Sequence, residues 1–126
     1  MSRSDPSSKP RPTPCARSCW AATRSRRRCA GAIRAGRILE RHEIWFWEEP
    51  LQPHDVAGFR ALSAAVDLRI ATGESLTRTH EFERLIDAGA VDVVQPDAAQ
   101  IGISQLVDVA RRADRAGMLC DRKSVV

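Results

Sequence analysis

No stretch of the 126 residues is long and apolar enough to cross a bilayer, which takes about 20 residues. The first residues also lack the apolar run of a secretory signal. A soluble, cytoplasmic protein with no membrane partner is expected. Cys15, Cys19, Cys29 and Cys120 have no His or further Cys at zinc-finger spacing, which argues against a structural zinc site. Without an export signal, reduced thiols are the default. Lysine is scarce: arginine outnumbers it eighteen to two, a sign of GC-rich coding DNA more than of a particular partner. Acidic residues are nearly missing from residues 1–41, where eleven Lys/Arg face only Asp5 and Glu40. Residues 42–126 hold nine basic and fourteen acidic side chains, so the net charge of +4 hides a basic arm on an acidic remainder.

Residues 1–29 are rich in Ser, Pro, Arg and Cys and have almost no aliphatic side chain to bury. Burial there cannot offset the entropy of ordering the chain. Three readings stand: an Arg/Ser-rich organelle leader, a basic arm whose run at 24–28 holds phosphates, or translation in a wrong frame. The tail Asp121-Arg122-Lys123-Ser124-Val125-Val126 resembles a translation of a common sequencing-adapter string, and is expected to lie outside the domain.

From Ala30 to about residue 120 the pattern is regular. Ile33, Ile38 and Leu39 share one side of a helix over 30–41, with Arg34, Arg37 and Arg41 turned to solvent. A run of large apolar residues, Ile44-Trp45-Phe46-Trp47, stops at Glu48-Glu49-Pro50 and predicts a buried strand over 44–48. Asp55 is placed to cap a helix carrying Val56, Phe59, Leu62 and Val66. A strand over 68–71 ends in Thr72-Gly73-Glu74. Thr79 is placed to cap a helix with Phe82, Leu85 and Ile86 inward, closed by Gly89. A strand over 91–95 ends at Pro96-Asp97, and Gly102 opens a loop into a helix with Leu106, Val109, Ala110 and Ala113 on one face. A further strand begins at 118–120. Helix and strand alternate with short connections, which predicts an α/β fold with a parallel sheet.

Glu48, Glu74 and Asp97 each stand at or just past a strand's C-terminal end, 26 and 23 residues apart. Parallel strands in register bring those ends to one face, where barrel enzymes carry their chemistry. Carboxylates gathered in one cleft repel, and a divalent cation relieves that; an all-oxygen set favours Mg2+ over zinc or copper. The plainer reading is that each acid caps the following helix or sits in solvent.

The motifs Trp47-Glu48-Glu49-Pro50-Leu51, Ile70-Ala71-Thr72-Gly73-Glu74, Leu85-Ile86-Asp87-Ala88-Gly89-Ala90 and Gln95-Pro96-Asp97 resemble the enolase superfamily. More narrowly, they resemble the C-terminal barrel domain of its mandelate racemase/muconate lactonising group. The resemblance implies part of a TIM-like (β/α) barrel, roughly its fourth to sixth strands, over residues 30–120. It implies that Glu48 and Glu74 are the second and third Mg2+ ligands, and that Asp97 orients a catalytic histidine on the next strand. It further implies proton abstraction next to a carboxylate, with dehydration of an acid sugar first and racemisation, epimerisation or cycloisomerisation as alternatives. The full-length family member is expected to be a homo-oligomer acting on a small carboxylate substrate.

The sequence departs from that pattern in several places. The first metal ligand is expected near residue 22, where Cys19-Trp20-Ala21-Ala22-Thr23-Arg24 holds no acid. The lysine base has no counterpart, and no histidine follows Gly117. His42, His54 and His80 lie at helix flanks or in loops, Gly102-Ile103 replaces a Gly-Gly pair, and no capping domain is recognisable. Negligible activity is expected of the sequence as written, since loss of a general base alone costs roughly 10²–10⁴-fold in rate. A non-catalytic half-barrel with a nucleic-acid-binding arm is the alternative outside enzymology. Nucleic acid is otherwise not expected as a partner.

Overall fold

The computed structural model describes residues 23–121, with side chains from Arg26 onward. The readings offered for 1–22 and 122–126 fall outside these residues. The elements run α1 (Thr23–Leu39), a 3-10 turn (Glu40–His42), β1 (Phe46–Glu48), α2 (Val56–Ala65), β2 (Arg69–Thr72), α3 (Thr79–Asp87), β3 (Val93–Val94), α4 (Ala98–Ile101), α5 (Ile103–Arg115) and β4 (Leu119–Cys120). The strands form one parallel sheet in the order β1-β2-β3-β4. When strand order follows chain order and every crossover is right-handed, the crossover helices share one face of the sheet. That is the winding of a barrel wall, in contrast to the reversal of a doubly wound sheet.

The register shows which side chains meet the helices. Trp47 pairs with Ile70, Thr72 with Val94, and Val94 with Cys120. Ile70 and Val94 belong to the hydrophobic cluster with Phe59, Leu62, Phe82, Leu85 and Val109, and Trp47 and Cys120 pack against it. The alternate residues Glu48, Ala71, Val93 and Leu119 form the next row and point to the opposite, concave side. Ala71 and Val93 are fully buried yet lie outside the helix-side cluster, as that alternation requires.

Several elements differ from the sequence expectation. Helix α1 starts at Thr23, seven residues before the boundary placed at Ala30. Its buried face is Cys29, Ala32 and Gly36, while Ile38 is 57% exposed. Small residues win that face because α1 lies close against α2: a Cβ on Gly36 would sit 2.9 Å from Val66 Cγ1. Strand β1 is shorter than 44–48, and Trp45 is 57% exposed. The indole meets Phe46 edge-on, with centroids 5.1 Å apart, and the Arg69 guanidinium lies 5.6 Å from its ring centre. Thr79 does not cap α3; its hydroxyl donates to Gln105 Oε1 at 2.8 Å. Glu81 Oε2 takes that capping role, accepting the N–H groups of Thr77 and Arg78 at 3.0 Å each. Asp55 caps α2 as expected, its Oδ1 accepting the Gly58 N–H at 2.9 Å.

Candidate functional site

The C-terminal rim of the sheet gathers the acids singled out in the sequence. Glu48 ends β1 directly opposite Ala71, and its exposed side chain follows the concave row. Glu74 comes two residues past β2 and is half-buried. It is delivered by Gly73, whose φ of +130° L side chains rarely adopt. A Cβ there would lie 2.7 Å from Phe82 Cε1 and 3.1 Å from the Gln95 backbone nitrogen. The rim loop therefore rests directly on the helix layer and on the next strand.

Asp97 follows β3 and is half-buried. Its Oδ1 accepts the Ala99 N–H at 2.8 Å and caps the short helix α4. Here the plainer reading has direct support: Asp97 serves as an N-cap. The same cap fixes its carboxyl group at the rim, three residues beyond Val94.

Three further residues belong to the rim and were not singled out as site residues. Glu49 has φ +46°, and its Oε1 accepts from Thr72 Oγ1 at 3.5 Å and Ser75 Oγ at 3.4 Å, tying the end of β1 to the end of β2. Gln95 is buried, and its Nε2 donates to Asp121 Oδ2 at 3.4 Å. A carboxylate only accepts, so the amide orientation follows, and it leaves Gln95 Oε1 buried without a protein partner. Asp121 had been assigned to the tail, yet its backbone N–H donates to Val94 O at 3.0 Å and continues β4 alongside β3. The signal for Gln95 was the alternation in Val93-Val94-Gln95, which points it to the same side as Val93.

The rim is thus a row of hard oxygen donors on consecutive strand ends. Among the described residues, no group of three or more His, Cys, Asp or Glu is arranged to hold a metal ion. The donor chemistry of Glu48 and Glu74 fits Mg2+, which is commonly held by one or two carboxylates and completes its shell with water and substrate oxygens. Among the described residues, no helix is long and apolar enough to cross a membrane.

Residues 22–123 match the Enolase C-terminal domain-like family. L-talarate/galactarate dehydratase of Salmonella typhimurium is 45% identical over 87 residues, 68% of this chain and 22% of that one. D-gluconate dehydratase of Thermoproteus tenax is 38% identical over 71 residues, 56% of this chain and 14% of that one. The solved structure of the Salmonella typhimurium enzyme superposes with a TM-score of 0.72 at 41% identity, covering 75% of this chain and 24% of that one. L-talarate dehydratase from Polaromonas, complexed with Mg and L-glucarate, superposes with a TM-score of 0.74 at 36% identity, covering 77% and 28%. The chain therefore spans about a quarter of the solved structures it matches. A parallel sheet wound like a barrel wall, a rim of strand-end carboxylates and a family match across 22–123 agree on one conclusion: the chain belongs to the Enolase C-terminal domain-like family of the enolase superfamily, and its α/β units are part of that family's barrel.

Proposed function

We propose that this chain contributes the metal-holding wall of a Mg2+-dependent acid-sugar dehydratase. The observation that carries the reading is the placement of Glu48 and Glu74 at adjacent strand ends, in a chain 45% identical to an L-talarate/galactarate dehydratase. In that reading Glu48 and Glu74 hold the cation by their carboxylate oxygens. Bound there, it would supply positive charge where a substrate carboxylate becomes more electron-rich on losing the neighbouring proton. Glu49, bonded to Thr72 and Ser75, keeps the two strand ends at a fixed separation. Asp97, fixed as the α4 cap, is a positioning residue for a basic group on a neighbouring strand end.

Loss of a β-hydroxyl after proton removal gives dehydration, and reprotonation gives racemisation. A racemase from Streptomyces coelicolor with bound magnesium has a TM-score of 0.74 at 32% identity. Dehydration ranks first because the L-talarate/galactarate dehydratase structure is 41% identical, against 32% for that racemase.

The test is a graft of residues 30–119 in place of the equivalent segment of the Salmonella typhimurium dehydratase. The expected result is a folded chimera that dehydrates galactarate only with Mg2+, and that loses both turnover and Mg2+ binding on Glu48→Gln or Glu74→Gln. A folded chimera that binds Mg2+ and leaves galactarate unchanged overturns the dehydratase reading.

A further inference from the structure

Helix α1 runs without a break across the boundary that apolar spacing put at Ala30, so the arginines on either side of it share one helix. At about 100° per residue, Arg27 and Arg34 lie directly opposite the buried residues Cys29, Ala32 and Gly36, with Arg26 and Arg37 beside them. Arg41, in the 3-10 turn that follows, is exposed like the other four. From Arg27 to Arg41 the row is about 20 Å long, at about 1.5 Å per residue. It faces away from the sheet, on the outside of the helix layer.

The row is also free of compensating charge. Helix α1 has no acid in its first turn. Glu40, the one acid between Thr23 and His42, is engaged elsewhere, its Oε1 accepting the Asp67 N–H. Among the described residues no carboxylate pairs with these five guanidinium groups, whereas Arg112 is paired with Glu83 and Asp87. Residues 23–42 carry seven arginines against one acid, and residues 43–121 carry seven arginines against fourteen acids. Positive charge is thus gathered on one helix of an otherwise acidic body.

We propose that the solvent face of α1 binds the phosphate backbone of double-stranded nucleic acid, without reading its sequence. A duplex carries one charge per about 1.7 Å of axis, so a row of about 20 Å runs beside about twelve phosphates. The planar fork of arginine donates two parallel N–H bonds to a phosphate. A protein partner would call for an apolar centre, and the one large apolar side chain exposed on the described part of α1 is Ile38. A membrane surface would call for an apolar helix face. That face of α1 is already packed on α2, with Cys29 Sγ donating to Gly58 O at 3.6 Å. The acidic remainder repels a polyanion and confines it to the α1 side. This surface is separate from the carboxylate rim, and the inference stands whether or not the dehydratase reading holds.

The test is a titration of the full chain against a fluorescent duplex of about 20 base pairs, between about 50 and 200 mM KCl. Binding is expected, with log K falling against log[KCl] at a slope of about −4, near 0.9 per phosphate neutralised. The variant Arg34→Gln/Arg37→Gln/Arg41→Gln should bring the slope to about −2 and weaken binding about tenfold or more at the lower salt. The charge-keeping variant Arg34→Lys/Arg37→Lys/Arg41→Lys should hold the native slope, which separates loss of charge from loss of fold. The matched variant Arg3→Gln/Arg11→Gln/Arg17→Gln should bind as the native chain does. No binding to the duplex overturns the proposal, as does an unchanged slope in the α1 glutamine variant or an equal loss in the lysine or matched variant. Tighter binding to phosphatidylserine vesicles or to polyglutamate, at equal charge concentration, overturns it in favour of a membrane or an acidic protein segment.

Discussion

The helix layer and the carboxylate rim are held by different forces. In the helix layer Phe59, Leu62, Ile70, Phe82 and Leu85 are almost entirely removed from water and belong to one hydrophobic cluster. At the rim the side-chain hydrogen bonds of Glu49 and Gln95 measure 3.4–3.5 Å, near the long end for such bonds, and Glu48 and Glu49 are exposed. Burial scales with area and makes the layer rigid; a few long polar contacts contribute little stability and leave the acids accessible to a ligand. The layer carries the fold, and the rim holds the acids to which the proposed chemistry is assigned. Gly73 is where they touch, because its backbone lies close against both Phe82 and Gln95.

Breaking the layer gives the largest effect. Phe82→Ala removes a fully buried ring and should cost about 3–5 kcal/mol, read as a lower urea midpoint. Because Phe82 supports Gly73, the Glu74 loop should loosen with it, visible as faster amide exchange at residues 73–76. Gly73→Ala attacks the junction itself. Its φ of +130° and the 2.7 Å approach to Phe82 predict a loss of about 1–3 kcal/mol in the same denaturation experiment. Asp55→Ala removes the α2 cap and should cost about 1 kcal/mol, with Asp55→Asn recovering most of it.

Cys29 sharpens the comparison through pH. Burial first, and the Asp55 charge second, hold its thiol above the ordinary value of 9.0. The folded chain therefore keeps a proton that the unfolded chain releases, so the unfolded state gains above that pH. Stability is complete below about pH 9 and declines as pH rises through the folded value. Thermal melts between pH 8 and 10.5 should show this decline, and Cys29→Ala should flatten it. The smallest stability effect belongs to the rim. Glu48→Gln and Glu74→Gln should each change stability by less than about 0.5 kcal/mol. Mg2+ affinity by calorimetry should meanwhile fall about tenfold or more. A rim substitution that unfolds the chain, or a layer substitution that spares it, would erase the distinction between the two regions.

Much of this architecture was legible in the residues. Helices α2, α3 and α5 follow their apolar spacing, and Gly89 ends α3 in a left-handed conformation with Ala90 N–H donating to Leu85 O at 3.0 Å. Glu48, Glu74 and Asp97 fall at the strand ends where their spacing put them. Helix α1 was read too short because its buried face is Cys29, Ala32 and Gly36, side chains too small to register as an apolar stripe. Its arginines meanwhile looked like an unstructured arm. Strand β1 was read too buried because Ile44 and Trp45 are as apolar as any core residue, although they flank an outer strand. Thr79 has the chemistry of a cap, but Gln105 offers its hydroxyl a tertiary acceptor and Glu81 supplies the cap instead.

The sequence by itself determined the alternation of elements, the parallel sheet and the identity of the acids on its rim. Each of these follows from periodicity and strand polarity, which are local properties of a chain. Only the tertiary structure decided what those acids do within the protein. Glu49 ties two strand ends, Asp97 caps α4, and Asp121 receives the Gln95 amide. A carboxylate's role depends on which donors come within hydrogen-bonding reach, and those donors arrive from residues up to 26 positions away in sequence.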